Sequence, residues 1–235
     1  MSISLKRIRA IVVKDYKEFS RNYSVSIVVL FPLLFAFLSR GSSPASTEMV
    51  GILLNFSFPM LTSLVQACLI AEEKERNTLR SLMMTPATTM DVLIGKSTLV
   101  FIMSSVVLAI ATSIFGYEPA SIGAFAAAIM LSIVLYTAAG TICGLFSKTL
   151  LEASLSVFPV FIVFSMAPYG AMRAKDVPIF KVLDYAPSSQ LAHLLDIRTG
   201  FTTGEIIKPL LIILAWTVGL TIVSVMLYQR RLKDE

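Results

Sequence analysis

Six stretches of this sequence stay apolar for long enough to cross a bilayer, and that recurrence constrains the fold more than any other feature. A helix needs roughly 20 apolar residues to traverse about 30 Å of hydrocarbon. Residues 23–39, 50–71, 92–116, 121–146, 150–171 and 209–228 meet that description. The chain has 235 residues, of which 15% are charged, and its mean hydropathy is +0.79. A soluble domain of this size has too little interior to hide so much apolar surface. The alternating pattern of a membrane β-barrel is absent, which leaves helices as the spanning solution. The expected fold is therefore all-α: a polytopic membrane protein forming a single transmembrane domain over residues 1–235, with six transmembrane helices.

Charge placement orients these spans. Lys6, Arg7, Arg9, Lys14, Lys17 and Arg21 precede the first; Lys74, Arg76, Arg80 and Lys96 lie between the second and third; Arg230, Arg231 and Lys233 follow the last. With six crossings all three groups fall on one side, so the positive-inside rule puts both termini in the cytoplasm. Residues 172–208 form an expected external segment. It carries Arg173, Lys175, Lys181, Arg198 and Lys208, nearly balanced by Asp176, Asp184, Asp196 and Glu205. Longer loops obey the rule less strictly. The basic balance thus reads as membrane orientation, and no nucleic-acid partner is expected. No cleavable signal peptide is expected either, because the first 22 residues are charged throughout.

Within residues 1–22, Leu5, Ile8, Val12, Tyr16 and Phe19 recur at helical spacing, which predicts an amphipathic helix lying on the inner leaflet among lipid headgroups. Pro32, Pro59 and Pro159 fall inside spans and can kink them. Gly140 and Gly144 have the G-x-x-x-G spacing of close helix contact, expected within the same bundle. Residues 172–208 predict one or two short amphipathic helices, with Pro209 opening the last span. Cys68 and Cys143 read as small apolar fillers, and His193 is the single histidine, so no metal site is expected.

Catalytic constellations are missing. There is no G-x-S-x-G, no H-E-x-x-H and no carboxylate pair at mid-span. The "GKST" at 95–98 ends like a P-loop, but the first glycine of that motif is replaced by Met90 and no strand precedes it. The chain is not expected to be an enzyme or to bind a cofactor. Ionisable residues in mid-membrane, the mark of proton relays, are essentially absent.

The densest charge cluster instead lies between spans two and three, in "AEEKERNTLRSLMMTPATTMDVLIGK" at 71–96. Leu79, Leu82 and Met83 give a short helix one narrow apolar face, and Thr85-Pro86 ends it. A charged lead-in followed by such a helix has the shape of a plug for a soluble partner's groove.

This stretch resembles the signature of ABC-2 type permeases, approximately E-[KR]-E-x-G-T-L-E-x-L-x-x-T-P followed by L-x-G-K. The match runs through Glu73, Lys74, Glu75, Arg76, Thr78, Leu79, Leu82, Thr85, Pro86, Leu93, Gly95 and Lys96. Asn77 stands where glycine is usual, and Arg80 where an acid is common. The resemblance extends over the chain, with "DYAPSSQLAHLLDIRTG" similar to the family's outer re-entrant region.

It implies a half-size membrane subunit of a type V-like ABC exporter in a cell membrane of a prokaryote, surrounded by lipid and paired with a second permease copy or paralogue. It also implies that residues 74–86 form a coupling helix seated in a separate ABC ATPase subunit, which would hold the ATP and Mg. Contact with that subunit falls to Glu73, Lys74, Glu75, Arg76, Thr78, Leu79, Leu82, Met83, Thr85 and Pro86. Asn55 and Gln66 in span two and Phe158 and Phe161 in span five are the candidate pathway residues. The lack of mid-membrane charge favours an amphipathic or hydrophobic cargo, such as a peptide, drug or lipid. The competing reading is a membrane assembly or sensory protein that recruits a cytoplasmic partner without transporting anything.

Overall fold

A computed structural model describes residues 4–40, 46–76, 88–174, 177–197 and 202–234. Among the described residues the structure is helical and contains no strand. Within these residues five helical segments are long and apolar enough to cross a membrane: Thr47–Glu75, Met90–Phe115, Ile122–Phe146, Leu150–Met172 and Thr203–Arg230.

The helices in chain order are α1 (Leu5–Arg21), α2 (Tyr23–Ser26), α3 (Leu30–Ser39), α4 (Thr47–Ser57), α5 (Leu64–Glu75), α6 (Thr89–Phe115), α7 (Ile122–Phe146), α8 (Leu150–Met172), α9 (Lys181–Asp184), α10 (Pro187–Leu195) and α11 (Thr203–Asp234). The expected first span is less regular than the others. A 3₁₀ turn at Ile27–Val29 separates α2 from α3, and the apolar helical part, Ile27–Ser39, is shorter than the five full-length segments.

The α4–α5 segment forms the axis of the bundle and is the most buried of the five. Its two halves are joined by a π-helical turn at Phe58–Ser63, where the Leu64 N–H bonds back to the Pro59 carbonyl. Pro59 has no N–H to donate, so a regular α ladder cannot run through it, and a wider turn is one way to absorb the defect. Neighbours then satisfy the polar groups around it. Thr62 Oγ1 and Ser104 Oγ of α6 lie 3.0 Å apart, and Ser63 Oγ donates to the Tyr136 carbonyl of α7 at 2.7 Å. Phe58 stacks on Tyr136 with ring centres 5.3 Å apart.

Gly140 and Gly144 face this axis. A Cβ on Gly140 would meet the Ser63 carbonyl and lie 2.8 Å from Ser63 Cα; one on Gly144 would lie 2.7 Å from the Ala67 carbonyl oxygen. The G-x-x-x-G spacing therefore serves contact between α7 and the α5 region of the same chain.

Two details differ from the sequence expectations. Pro209 does not open the last helix but lies inside it, because α11 begins at Thr203. Glu205 accepts a hydrogen bond from the Thr202 N–H at 3.0 Å, and that local capping starts the helix about a turn and a half before the apolar run. On α1, the buried face is Ile8, Ile11, Asp15 and Phe19, whereas Leu5 and Tyr16 of the expected apolar stripe stay exposed. The face turned to the protein is thus rotated so that a carboxylate lies in its middle.

Beyond α8, a 3₁₀ turn at Pro178–Phe180 and the short helices α9 and α10 fold over one end of the bundle. The buried residues of α10 are Pro187, Ser188, Ser189, Gln190, Leu191 and Leu195. Gln190 Nε2 donates to the Asp184 carbonyl, Ser189 Oγ to the Leu183 carbonyl, and Trp216 Nε1 of α11 to the Tyr185 carbonyl.

Candidate functional site

The charged lead-in of 71–96 is built into the bundle at the end opposite α10. Lys96, in the first turns of α6, is 1% exposed and sits between two carboxylates: Asp15 of α1, fully buried, and Glu73 of α5, 3% exposed. Its Nζ lies 3.2 Å from Asp15 Oδ2 and 3.1 Å from Glu73 Oε1, and donates to the Leu69 carbonyl at 3.0 Å. Lys14 Nζ closes the knot from the rim, 2.9 Å from Glu73 Oε1 and 3.5 Å from Glu18 Oε2. The two buried carboxylates, Asp15 and Glu73, are matched by the two ammonium groups, and the third carboxylate, Glu18, stays part-exposed at the rim. Burial pushes the Asp15 carboxyl above its ordinary range even with Lys96 beside it. Burial works against the Lys14 charge, yet Glu73, Asp15 and Glu18 together hold its ammonium above the ordinary lysine value.

A second clamp joins α1 to the start of α6. Asp91 and Thr88 form a capping box, with Asp91 N donating to Thr88 Oγ1 at 3.1 Å and Thr88 N to Asp91 Oδ2 at 3.0 Å. The same carboxylate accepts the Ser4 N–H at 3.0 Å and pairs with Arg7 Nε at 3.2 Å. Between the clamps, Gly95 gives α1 its close approach: a Cβ there would fall 2.7 Å from Ile11 Cγ2. The Gly95-Lys96 pair therefore fastens α1 against α6.

The remaining lead-in residues reach two further helices. Lys74 Nζ donates to the Leu145 carbonyl at the end of α7, and Glu75 Oε2 accepts the Leu150 N–H at the start of α8 at 2.8 Å. Arg76 pairs with Glu72 at 2.7 Å and keeps 59% of its side chain exposed. The last turns of α5 are thus tied to α1, α6, α7 and α8 at once. Of the expected partner-facing residues, Glu73, Lys74, Glu75 and Arg76 are placed this way. Thr78, Leu79, Leu82, Met83, Thr85 and Pro86 lie outside the described residues.

The four candidate pathway residues occupy three environments. Asn55 is buried in α4; Ser165 Oγ of α8 donates to its backbone carbonyl at 2.9 Å, while its Oδ1 has no hydrogen-bond partner among the described residues. Gln66 is fully buried in α5, its Nε2 donating to Thr141 Oγ1 of α7 at 3.0 Å. Phe158 is 59% exposed on α8, its ring centre 6.0 Å from that of Phe161, which packs edge-on to Phe56 at 5.2 Å. The structure brings Phe158 and Phe161 together on α8, with Phe161 against Phe56, the neighbour of Asn55, while Gln66 bonds to α7. Asp15 was missed as a member of the charged end. An acid within the Ile8–Ile11–Phe19 face was the signal that could have found it.

These features define a multi-pass helical membrane protein with a charged, cross-braced end flanking the 77–87 segment. A comparison with family models identifies it further: the model described as ABC-2 family transporter protein matches residues 10–231. The chain belongs to the ABC-2 transporter family. A search of curated proteins found no match.

Proposed function

We propose that this chain is the permease subunit of an ATP-driven exporter, crossing the membrane six times with both termini in the cytoplasm. A separate ATPase subunit holds ATP and Mg, and a second permease, identical or related, completes the pathway. Family membership supports the class. The observation that carries the coupling role is the bracing of the last turns of α5 to four other helices beside the 77–87 segment. A force applied to that segment reaches α6 through the buried Lys96 contacts, α1 and α7 through half-buried ones, and α8 through the exposed Glu75–Leu150 bond.

In this reading Leu79, Leu82 and Met83 supply the apolar face that seats in the ATPase, flanked by Thr78, Thr85 and Pro86. Arg76, exposed at the root of the segment, meets the partner directly. Glu73, Lys74 and Glu75 act inward, passing the partner's movement to the spans. Coupling requires that nucleotide-driven closure change the relative free energies of the inward-facing and outward-facing states. An amphipathic or hydrophobic cargo fits the scarcity of charge along the spans.

Purification of the chain from its host in mild detergent tests this reading. Near-stoichiometric recovery of an ABC ATPase with vanadate-sensitive hydrolysis is the expected result. Leu79→Arg is expected to leave the chain inserted but to lose most of the retained ATPase, because a buried charge in the docking face costs several kcal/mol. An ATPase retained at wild-type yield by Leu79→Arg would remove the docking role from this segment. Recovery without any ATPase would favour a recruiter of some other partner.

A further inference from the structure

α6 and α11 each pack on α7, and the space between them is a groove of about 400 Å³. All three helices are long and apolar enough to span a membrane. Along α6 the groove runs from Met90 to Phe101, roughly 16 Å of helix. That is close to half of the roughly 30 Å hydrocarbon core of a bilayer, the depth of one leaflet. At the end nearer the ion knot, Gln229 Nε2 of α11 meets Met90 Sδ of α6 at 3.5 Å and bridges the two walls. Val134 of α7, 37% exposed, and the half-buried Ile94 and Val225 belong to the lining. The groove therefore opens sideways, on a surface that the bilayer covers.

Most hydroxyls in its lining already have partners. Thr98 Oγ1 donates to the Ile94 carbonyl at 2.7 Å and Thr137 Oγ1 to the Ile133 carbonyl at 2.7 Å. Thr141 Oγ1 donates to the Thr137 carbonyl at 2.9 Å, and Ser224 Oγ to the Thr221 carbonyl at 2.9 Å. Such bonds within a helix satisfy the hydroxyl without any ligand. Thr221 Oγ1 is itself buried, out of reach of the groove. Only Ser97 is left to offer a hydroxyl, and no charged side chain lines the groove among the described residues. The walls therefore call for hydrocarbon. Facing unfilled space they would lose dispersion contacts outright. A partner's helix is too thick: about 10 Å across with its side chains, it would need roughly 1,200 Å³ over the same length. A single hydrocarbon chain is thin enough and matches the depth.

We propose that this groove holds one acyl chain of a phospholipid from the leaflet on the knot's side, wedged between α6 and α11. The chain lies along Ile94, Thr98 and Phe101 of α6 and against Val134 of α7. Thr141, in the groove's wall, is also the acceptor for Gln66 of the central axis, so the lipid sits one helix away from that axis. The site requires only that the protein lie in a bilayer, and it stands whether or not the permease reading does.

Photolabelling by a phosphatidylethanolamine with a diazirine on one acyl chain tests the site separately from ATPase coupling. The full chain, with any partner it retains, is placed in phosphatidylethanolamine–phosphatidylglycerol nanodiscs without nucleotide. Labels on the groove lining are expected to saturate as the probe fraction rises, while labels at Leu211, exposed on α11 outside the groove, rise in proportion. Ser97→Phe fills the groove from a half-buried position. It should cut groove labelling roughly fivefold or more, the worth of about ten lost carbon–carbon contacts, and leave Leu211 unchanged. Val134→Trp fills the groove from its exposed edge and should act alike; Val106→Phe, exposed on α6 outside the groove, should not. Monodisperse elution and the unchanged Leu211 label show that each variant folds. Groove labels that rise in step with Leu211 would reduce the site to ordinary boundary lipid. Displacement by free palmitate but not by unlabelled phosphatidylethanolamine would give the groove to a single-chain cargo. Either result, an unlabelled groove, or full labelling in both filled variants would overturn the proposal.

Discussion

Lys96→Met is expected to destabilise the protein by about 3–5 kcal/mol, the cost of breaking a buried ion pair from one side. In a domain of this size that corresponds to a fall in thermal midpoint of roughly 10 °C. The substitution keeps most of the side-chain volume, so the loss is electrostatic. Asp15 and Glu73 would be left facing each other with only Lys14, at the rim, as counter-ion. The Leu69 carbonyl would lose its donor as well. The direction of the Asp15 shift supplies the rescue: burial already pushes that carboxyl toward its neutral form, so Asp15→Asn removes a charge that the site holds at a cost. The double variant retains Lys14 beside the buried Glu73 at 2.9 Å, with the part-exposed Glu18 at 3.5 Å on the rim. It should recover more than half of the lost stability, measured by thermal unfolding in detergent with monodispersity as the readout. A double variant as unstable as Lys96→Met alone would show that Lys96 matters for its contact with the Leu69 carbonyl and its packing, and not for charge balance.

The same knot shows where reading the sequence succeeds and where it stops. Crossing a bilayer is a property of consecutive residues, so the apolar runs marked the five full-length segments well. The run at 23–39 marked a helical region too, but it is interrupted by a 3₁₀ turn that hydropathy does not register. At 71–96 the charge cluster was plain in the sequence, and its partners were not. Lys14 and Glu73 are 59 residues apart, Glu75 and Leu150 75, and Asp15 and Lys96 81. No local pattern encodes such pairings, so the bracing of these charges to α1, α6 and α8 could not be read from 71–96 alone. Asp15 could have been recognised, because an acid on the apolar face of an amphipathic helix implies a buried cation elsewhere. Lys96, just inside a span, was the candidate. Pro209 differs for another reason: an apolar run need not begin where its helix begins, and Thr202 and Glu205 start α11 within polar sequence.

Gly140→Ala is expected to cost about 1–3 kcal/mol, the range for forcing extra volume into a packed interior, although alanine is ordinarily the better helix former. The added methyl would press on the Ser63 carbonyl and stand 2.8 Å from Ser63 Cα and 3.0 Å from Gln66 Cβ. Two of those atoms are backbone, which no rotamer change can move. The partner surface has its own small-residue spacing, Ser63 and Ala67 being four apart on α5 and its lead-in, so the two helices meet groove to groove. Pushing them apart also strains the Ser63 Oγ bond to the Tyr136 carbonyl and the Gln66 bond to Thr141. Gly144→Ala meets the Ala67 carbonyl oxygen at 2.7 Å and should act in the same direction. Gly219 provides the contrast. It lies within α11, nothing among the described residues comes within 4 Å of a Cβ placed there, and Gly219→Ala should be neutral or slightly stabilising. Thermal midpoints of the three variants in one detergent separate the two explanations. If all three fall together, glycine is required for helix flexibility in general. If only Gly140→Ala and Gly144→Ala fall, the requirement is close backbone contact between α7 and the central α4–α5 axis.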